Sequence, residues 1–188
     1  ATSNEFKVYV YRKQDDRYVC TGSIEGTGTA IQSVDYPVIT PDGRRGMVIS
    51  WRLSADGTGA LTMCDFSNDC APGVLLETEY SAMDLVDMTG DGAKDLLLMT
   101  TAPEGKRVAR LYQYRSGSLT MVGEAATSAE TVSVERMQTG HVLNDYTAVF
   151  AEEKMASGVG LTTDIFVFAD QTLVNLALDG EDSISRST

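Results

Sequence analysis

The chain has 188 residues, 43% of them hydrophobic, with 17 glycines, which suits a turn-rich globular domain or a piece of one. Its formal net charge of −12 opposes binding to phosphate backbones and anionic lipid, attracts cations, and keeps the surface well solvated. No apolar run approaches the roughly 20 residues of a membrane helix. Residues 1–4 carry no basic and apolar leader, so an export signal is expected outside this sequence.

In chain order the elements are short strands. Val8-Tyr9-Val10-Tyr11 is the first apolar-aromatic run, and Leu61-Thr62-Met63-Cys64, Leu111-Tyr112-Gln113-Tyr114 and Ile165-Phe166-Val167-Phe168 repeat it. The last residues of these runs lie 53, 50 and 54 positions apart. Met47-Val48-Ile49-Ser50, Leu96-Leu97-Leu98-Met99 and Ala148-Val149-Phe150-Ala151 form a second series, opening 49 and 52 positions apart. Two markers holding one spacing indicate repeats of about fifty residues, the period of propeller blades or a solenoid.

Each unit divides into four strands. In the third they are expected at 109–115, 118–125, 131–138 and 146–152, separated by turn signals such as Arg115-Ser116-Gly117. The spacing predicts an all-β, partial β-propeller of roughly fourteen strands. The repeats fall at about 6–57, 58–108 and 109–160, followed by a half repeat at 161–180 with strands at 164–169 and 172–178. Residues 179–188 are polar and end the pattern as a frayed tail. A half blade would leave an unpaired edge open to self-association. The best helical candidate is 151–156, too short to stand alone. Trp51 at a strand position is assigned to packing, and Gly26-Thr27-Gly28 and Gly57-Thr58-Gly59 to turns.

Three cysteines, without a C-x-x-C, argue for free thiols rather than a disulfide framework. Cys64 and Cys70 flank 65–69; a hairpin tip at Phe66-Ser67-Asn68 would set them opposite each other within bridging reach, with Cys20 far from both.

One loop carries chemistry. In Asp87-Met88-Thr89-Gly90-Asp91-Gly92-Ala93-Lys94-Asp95, oxygen side chains occupy positions one, three and five and a glycine follows at six. The Ala93 carbonyl at seven and the Asp95 carboxylate at nine complete an oxygen set of the kind calcium takes. Asp87, Thr89, Asp91, Ala93 and Asp95 are therefore the expected Ca²⁺ ligands, and Lys94 should point outward. An EF-hand would need glutamate at position twelve, where Leu98 stands; a dockerin-type loop would need a helix where 96–99 reads as a strand. An acidic turn held by Asx hydrogen bonds, without metal, is the alternative.

The stretch from Ala82-Met83-Asp84-Leu85-Val86-Asp87 through Asp95-Leu96-Leu97-Leu98 resembles the FG-GAP/VCBS-type repeat of integrin-type and bacterial surface propellers. In the first unit Thr40-Pro41-Asp42-Gly43 keeps its Asp-Gly pair, with Val38 and Gly46 where the outer carboxylates belong; 139–145 has lost the pattern. Residues 7–11, 46–52 and 163–178 are more loosely similar to surface lipoproteins of Gram-positive gut bacteria. The resemblance implies calcium in intact loops, an extracellular or cell-surface location, and lipid anchoring through a preceding N-terminal part.

Catalytic patterns are sparse. His141, the single histidine, sits where a turn is expected, no G-x-S-x-G marks a nucleophile elbow, and one histidine does not make a zinc site. Phosphate-binding glycine loops are absent from the sequence. Glu152-Glu153 and Asp164 are the route to a carbohydrate-active enzyme, through paired carboxylates. The expectation is a non-catalytic binding module for a protein or glycan on a calcium-stiffened scaffold, with that enzyme and a purely structural spacer as alternatives.

Overall fold

The computed structural model describes residues 4–54, 58–68, 70–128, 131–142 and 145–178, and among these the fold is all-β with fourteen strands. The chain divides into two compact units, Ala1–Tyr80 with Arg115–Leu119, and Ser81–Tyr114 with Thr120–Thr188.

In the first unit, β1 (Asn4–Gln14) and β2 (Arg17–Gly28) form a two-stranded antiparallel sheet. β3 (Ala30–Asp35), β4 (Met47–Arg52), β5 (Gly59–Asn68) and β6 (Ala71–Tyr80) follow as a four-stranded meander in chain order. β1 alternates: Phe6, Val8 and Val10 pack on Ile24, Met47, Ile49, Trp51 and Cys64, while Tyr9 and Tyr11 are exposed. Gly26 lies within β2 rather than in a turn. A Cβ there would stand 2.4 Å from Trp51 Cε2, so the indole occupies the space a side chain would need. Trp51 is buried as expected and donates Nε1–H to Thr62 Oγ1 at 3.0 Å.

The second unit holds two meanders. One comprises β7 (Ala82–Val86), β8 (Asp95–Thr101), β9 (Arg107–Arg115) and β10 (Ser118–Ala126); the other β11 (Thr131–Val142), β12 (Tyr146–Met155), β13 (Leu161–Ala169) and β14 (Thr172–Asn175). Leu97, Met99, Ala109 and Leu111 of the first join Val149, Ala151, Phe166 and Leu173 of the second in one core. Ser116 and Gly117, both at positive φ, turn β9 into β10 where the sequence signalled it.

The two repeating markers occupy the second and third strands of each meander: β4 and β5, β8 and β9, β12 and β13. β4 and β8 are covered on both faces, so they read as mostly apolar runs, with Ser50 the buried polar exception within β4. The sheets thus run two strands out of phase with the expected repeat limits. β1, which carries the first marker, matches a third strand, and the two-strand sheet is β1–β2 rather than a half repeat at 161–180. A periodic sequence fixes the period, but which strand opens a sheet depends on hydrogen-bond partners.

Other expectations are corrected at strand ends. Residues 151–155 continue β12, because Ala151 pairs with both Met137 and Asp164. His141 lies in β11 opposite Thr147, not in a turn. β14 stops at Asn175, and 176–178 form a helical turn. Asn175 Oδ1 accepts from Ala177 N at 3.1 Å, as an N-cap does, and from Ile165 N at 3.2 Å, while Nδ2 donates to Ala126 O at 3.1 Å. The hairpin β5–β6 closes at Asn68↔Ala71, so Cys64 faces Val74 rather than Cys70, and all three thiols are free. The tail 179–188, Asp69, Gly57, Leu143 and Asn144 lie outside the described residues.

Asn175→Ala removes two acceptor contacts and one donor at a site 4% exposed. It is expected to lower unfolding free energy by about 1–3 kcal/mol in urea titrations. Val159→Ala, at 82% exposure, should stay within about 0.5 kcal/mol of wild type.

Candidate metal loop

β7 ends at Val86 and β8 begins at Asp95, leaving the polar loop between two paired strands whose register closes at Val86↔Asp95. Gly90 and Gly92 take φ of 77° and 86°, left-handed conformations that side chains resist, and this folds the loop back on itself. The expected ligands all lie on this short segment.

Their hydrogen bonds are mostly internal. Asp87 Oδ1 accepts from Gly90 N at 2.7 Å and Oδ2 from Gly92 N at 2.9 Å. Asp91 Oδ1 accepts from Ala93 N at 2.9 Å. Asp95 Oδ2 accepts from Met88 N at 2.9 Å and from both the amide and hydroxyl of Thr89 at 3.1 Å. These are Asx-type contacts, the pattern of the metal-free alternative. Among the described residues no three histidine, cysteine or acidic side chains gather closely enough to hold an ion.

Asp95 stands apart from the rest. It is 1% exposed, and its Oδ1 is buried without a hydrogen-bond partner. Burial pushes its carboxyl up to about 6, against the pull of the Met88 and Thr89 donors, and the nearby Asp91 charge adds to the rise. A buried anion with one idle oxygen is a group a cation would satisfy. The donor set of carboxylates, hydroxyl and carbonyl is all oxygen and so fits a hard ion. Lys94 is exposed, as its even position implied.

Sequence reasoning missed Gln113. From β9 its Nε2 donates to Thr89 Oγ1 and to Asp91 Oδ2, both at 3.0 Å, clasping the loop from the neighbouring strand. Its signal was a polar residue inside an apolar-aromatic run, and Gln113 is indeed 7% exposed. The register that brings it beside the loop is a property of the sheet, not of local sequence.

The related first-unit loop is closed differently. Thr40 donates its hydroxyl to Asp42, its Oγ1 accepts from Arg44 N at 2.9 Å, and Gly43 takes φ of 91°. The Thr40 bond, with Arg44 Nε 3.6 Å away, holds Asp42 below the usual carboxylate range. This loop supplies its own positive charge; no carboxylate comparable to Asp95 is buried in it, since Gly46 takes that place.

The carboxylates considered for catalysis are differently placed. Glu152 pairs with Arg136, and Asp164, fully buried, accepts from the amide and hydroxyl of Ser128 at 2.9 and 2.6 Å. Asp164 thereby ties the segment after β10 to β13. Cys64 is buried, and burial pushes its thiol up to about 12, with Asp65 and Glu77 contributing, so it is not a nucleophile at neutral pH.

No family model matches the chain, and no curated protein or solved structure matches it either.

Proposed function

We propose that the chain is a non-catalytic binding module of the cell surface or extracellular space, built on a propeller-type scaffold stiffened by one calcium ion. Three successive four-stranded meanders at a fifty-residue spacing support the scaffold. The idle, buried oxygen of Asp95 carries the calcium reading. Asp87, Thr89, Asp91, the Ala93 carbonyl and Asp95 would hold the ion, which would supply positive charge the loop lacks. Since their carboxylates do not gather as they stand, uptake requires some internal N–H contacts of Asp87 and Asp91 to give way. The surface partner is a protein or glycan; the net charge of −12 disfavours nucleic acid. Among the described residues no helix is long and apolar enough to cross a membrane.

Melting in millimolar Ca²⁺ and in EGTA tests this reading. Calcium at about one hundred times its dissociation constant adds about 2.7 kcal/mol, a rise of several degrees. Asp91→Ala should abolish the difference. Equal melting of the wild type in both conditions refutes calcium binding and leaves the loop an acidic turn.

A further inference from the structure

Among the described residues β1 has one ladder partner, β2, so a row of its backbone N–H and C=O groups runs along an open edge. The fifty-residue period says which strand that edge lacks. β1 carries the marker of β5, β9 and β13, and each of those third strands is paired on its other side with a second strand, β4, β8 or β12. The position beside β1 is that of a second strand.

An apolar floor lies beside it. Ile31 is opposite Trp51 and Val34 is opposite Ile49, so all four point to the face on which Phe6, Val8 and Val10 pack. Ile49 and Trp51 are buried there, but Ile31 and Val34 remain 38% and 36% exposed. Gly22, the partner of Val10, lies against Pro72 of β6, at the far edge of the sheet from β3. Val10 itself packs on the core drawn from β2, β4 and β5. β1 therefore lies on the β3 side of β2, with its open edge towards the uncovered floor.

The chemistry of an occupant follows from register and charge. Residues paired with Val8 and Val10 would turn inward to this floor, and those paired with Tyr9, Tyr11 and Lys13 outward to solvent. β1 carries Lys7, Arg12 and Lys13 against one acid, Glu5, in a chain of net charge −12. Lys7 is held by Glu25 at 2.8 Å, while Arg12 and Lys13 are exposed at the end of the strand. That excess of cations opposes pairing between two copies of β1 and favours a strand with acidic residues at its start.

We propose that the open edge of β1 binds an extended peptide strand of another protein, added antiparallel to β1. Its apolar residues turn inward and its N-terminal acidic residues meet Arg12 and Lys13. This names the partner of the binding module and rests on that reading, but uses no residue of the 87–95 loop.

The probe is a capped nonapeptide of alternating valine and threonine, with two N-terminal glutamates and a C-terminal fluorescein. Its fluorescence anisotropy should rise saturably with protein. A strand added to an edge uses every second N–H, so N-methylation of alternate amides should abolish binding in one phase. In the other phase it should change affinity less than two-fold. Lys13→Glu should weaken binding about five-fold, and Ile31→Asp, which puts charge in the floor, should abolish it. Circular dichroism checks each variant's fold; the N-methylated pair needs no change in the protein and decides even if Ile31→Asp misfolds. A silent titration, equal binding of the two N-methylated phases, or unchanged affinity in Lys13→Glu would each overturn the proposal. So would a dimer in sedimentation that the peptide cannot dissociate, since a second copy would then hold the edge. Failure of the peptide refutes the strand partner alone; the module reading fails only if folded proteins and glycans are also not bound.

Discussion

Asp95→Asn is expected to raise the melting temperature of the metal-free protein at pH 7.5 and to lower that of the calcium-loaded protein. In the fold the Asp95 carboxyl titrates at about 6 because burial disfavours its charge, against about 3.9 in an unfolded chain. The folded state therefore binds more protons between these values, and stability falls as pH rises through that window. The destabilisation is absent below about pH 4 and complete above about pH 6–7, roughly 2–3 kcal/mol for a shift of this size. Asparagine has no charge to bury, its carbonyl can take the place of Oδ2, and its NH₂ falls where Oδ1 already lacked a partner. The gain should vanish at pH 4. With calcium bound the carboxylate is paired, and the same substitution removes a ligand, so the sign reverses. Melting curves of both proteins at pH 4 and 7.5, in EGTA and in Ca²⁺, give the comparison. A wild-type advantage at pH 7.5 in EGTA contradicts the buried-charge account; an unchanged sign in calcium contradicts the metal.

Phe166→Ala should produce the largest loss of stability, about 3–5 kcal/mol, or about 10 °C or more in melting temperature. Phe166 is fully buried on β13 and belongs to the core that joins β7–β10 to β11–β14. Its removal leaves a cavity lined by side chains from paired strands, which cannot collapse without breaking ladder hydrogen bonds. Phe166→Leu should recover more than half of the loss. A change below about 1 kcal/mol on Phe166→Ala would show that this core is loosely packed.

Strand identity was legible because it depends on local alternation and turn chemistry. The runs at 109–115, 118–125 and 146–152 fall on β9, β10 and β12. The covered central strands gave the clearest signal, since burial on both faces favours a continuous apolar sequence, as in Leu96–Met99. Strand ends were less legible. Asn175 ends β14 with a cap that answers to Ile165 and Ala126, neither of which is its neighbour in sequence.

By itself, then, the sequence determined an all-β chain of fifty-residue period and placed an oxygen-rich turn between two strands. Spacing and glycine positions suffice for that, because they act within a few residues. Only the tertiary structure decided the phase of the sheets, the separation of Cys64 from Cys70 by a hairpin that turns later than expected, and the role of Gly26 under the Trp51 ring. It alone showed that Gln113 clasps the loop and that Asp95 is buried with one oxygen idle. Pairing register and burial are set by contacts between residues distant in sequence, and local pattern carries no record of which strand will be the neighbour.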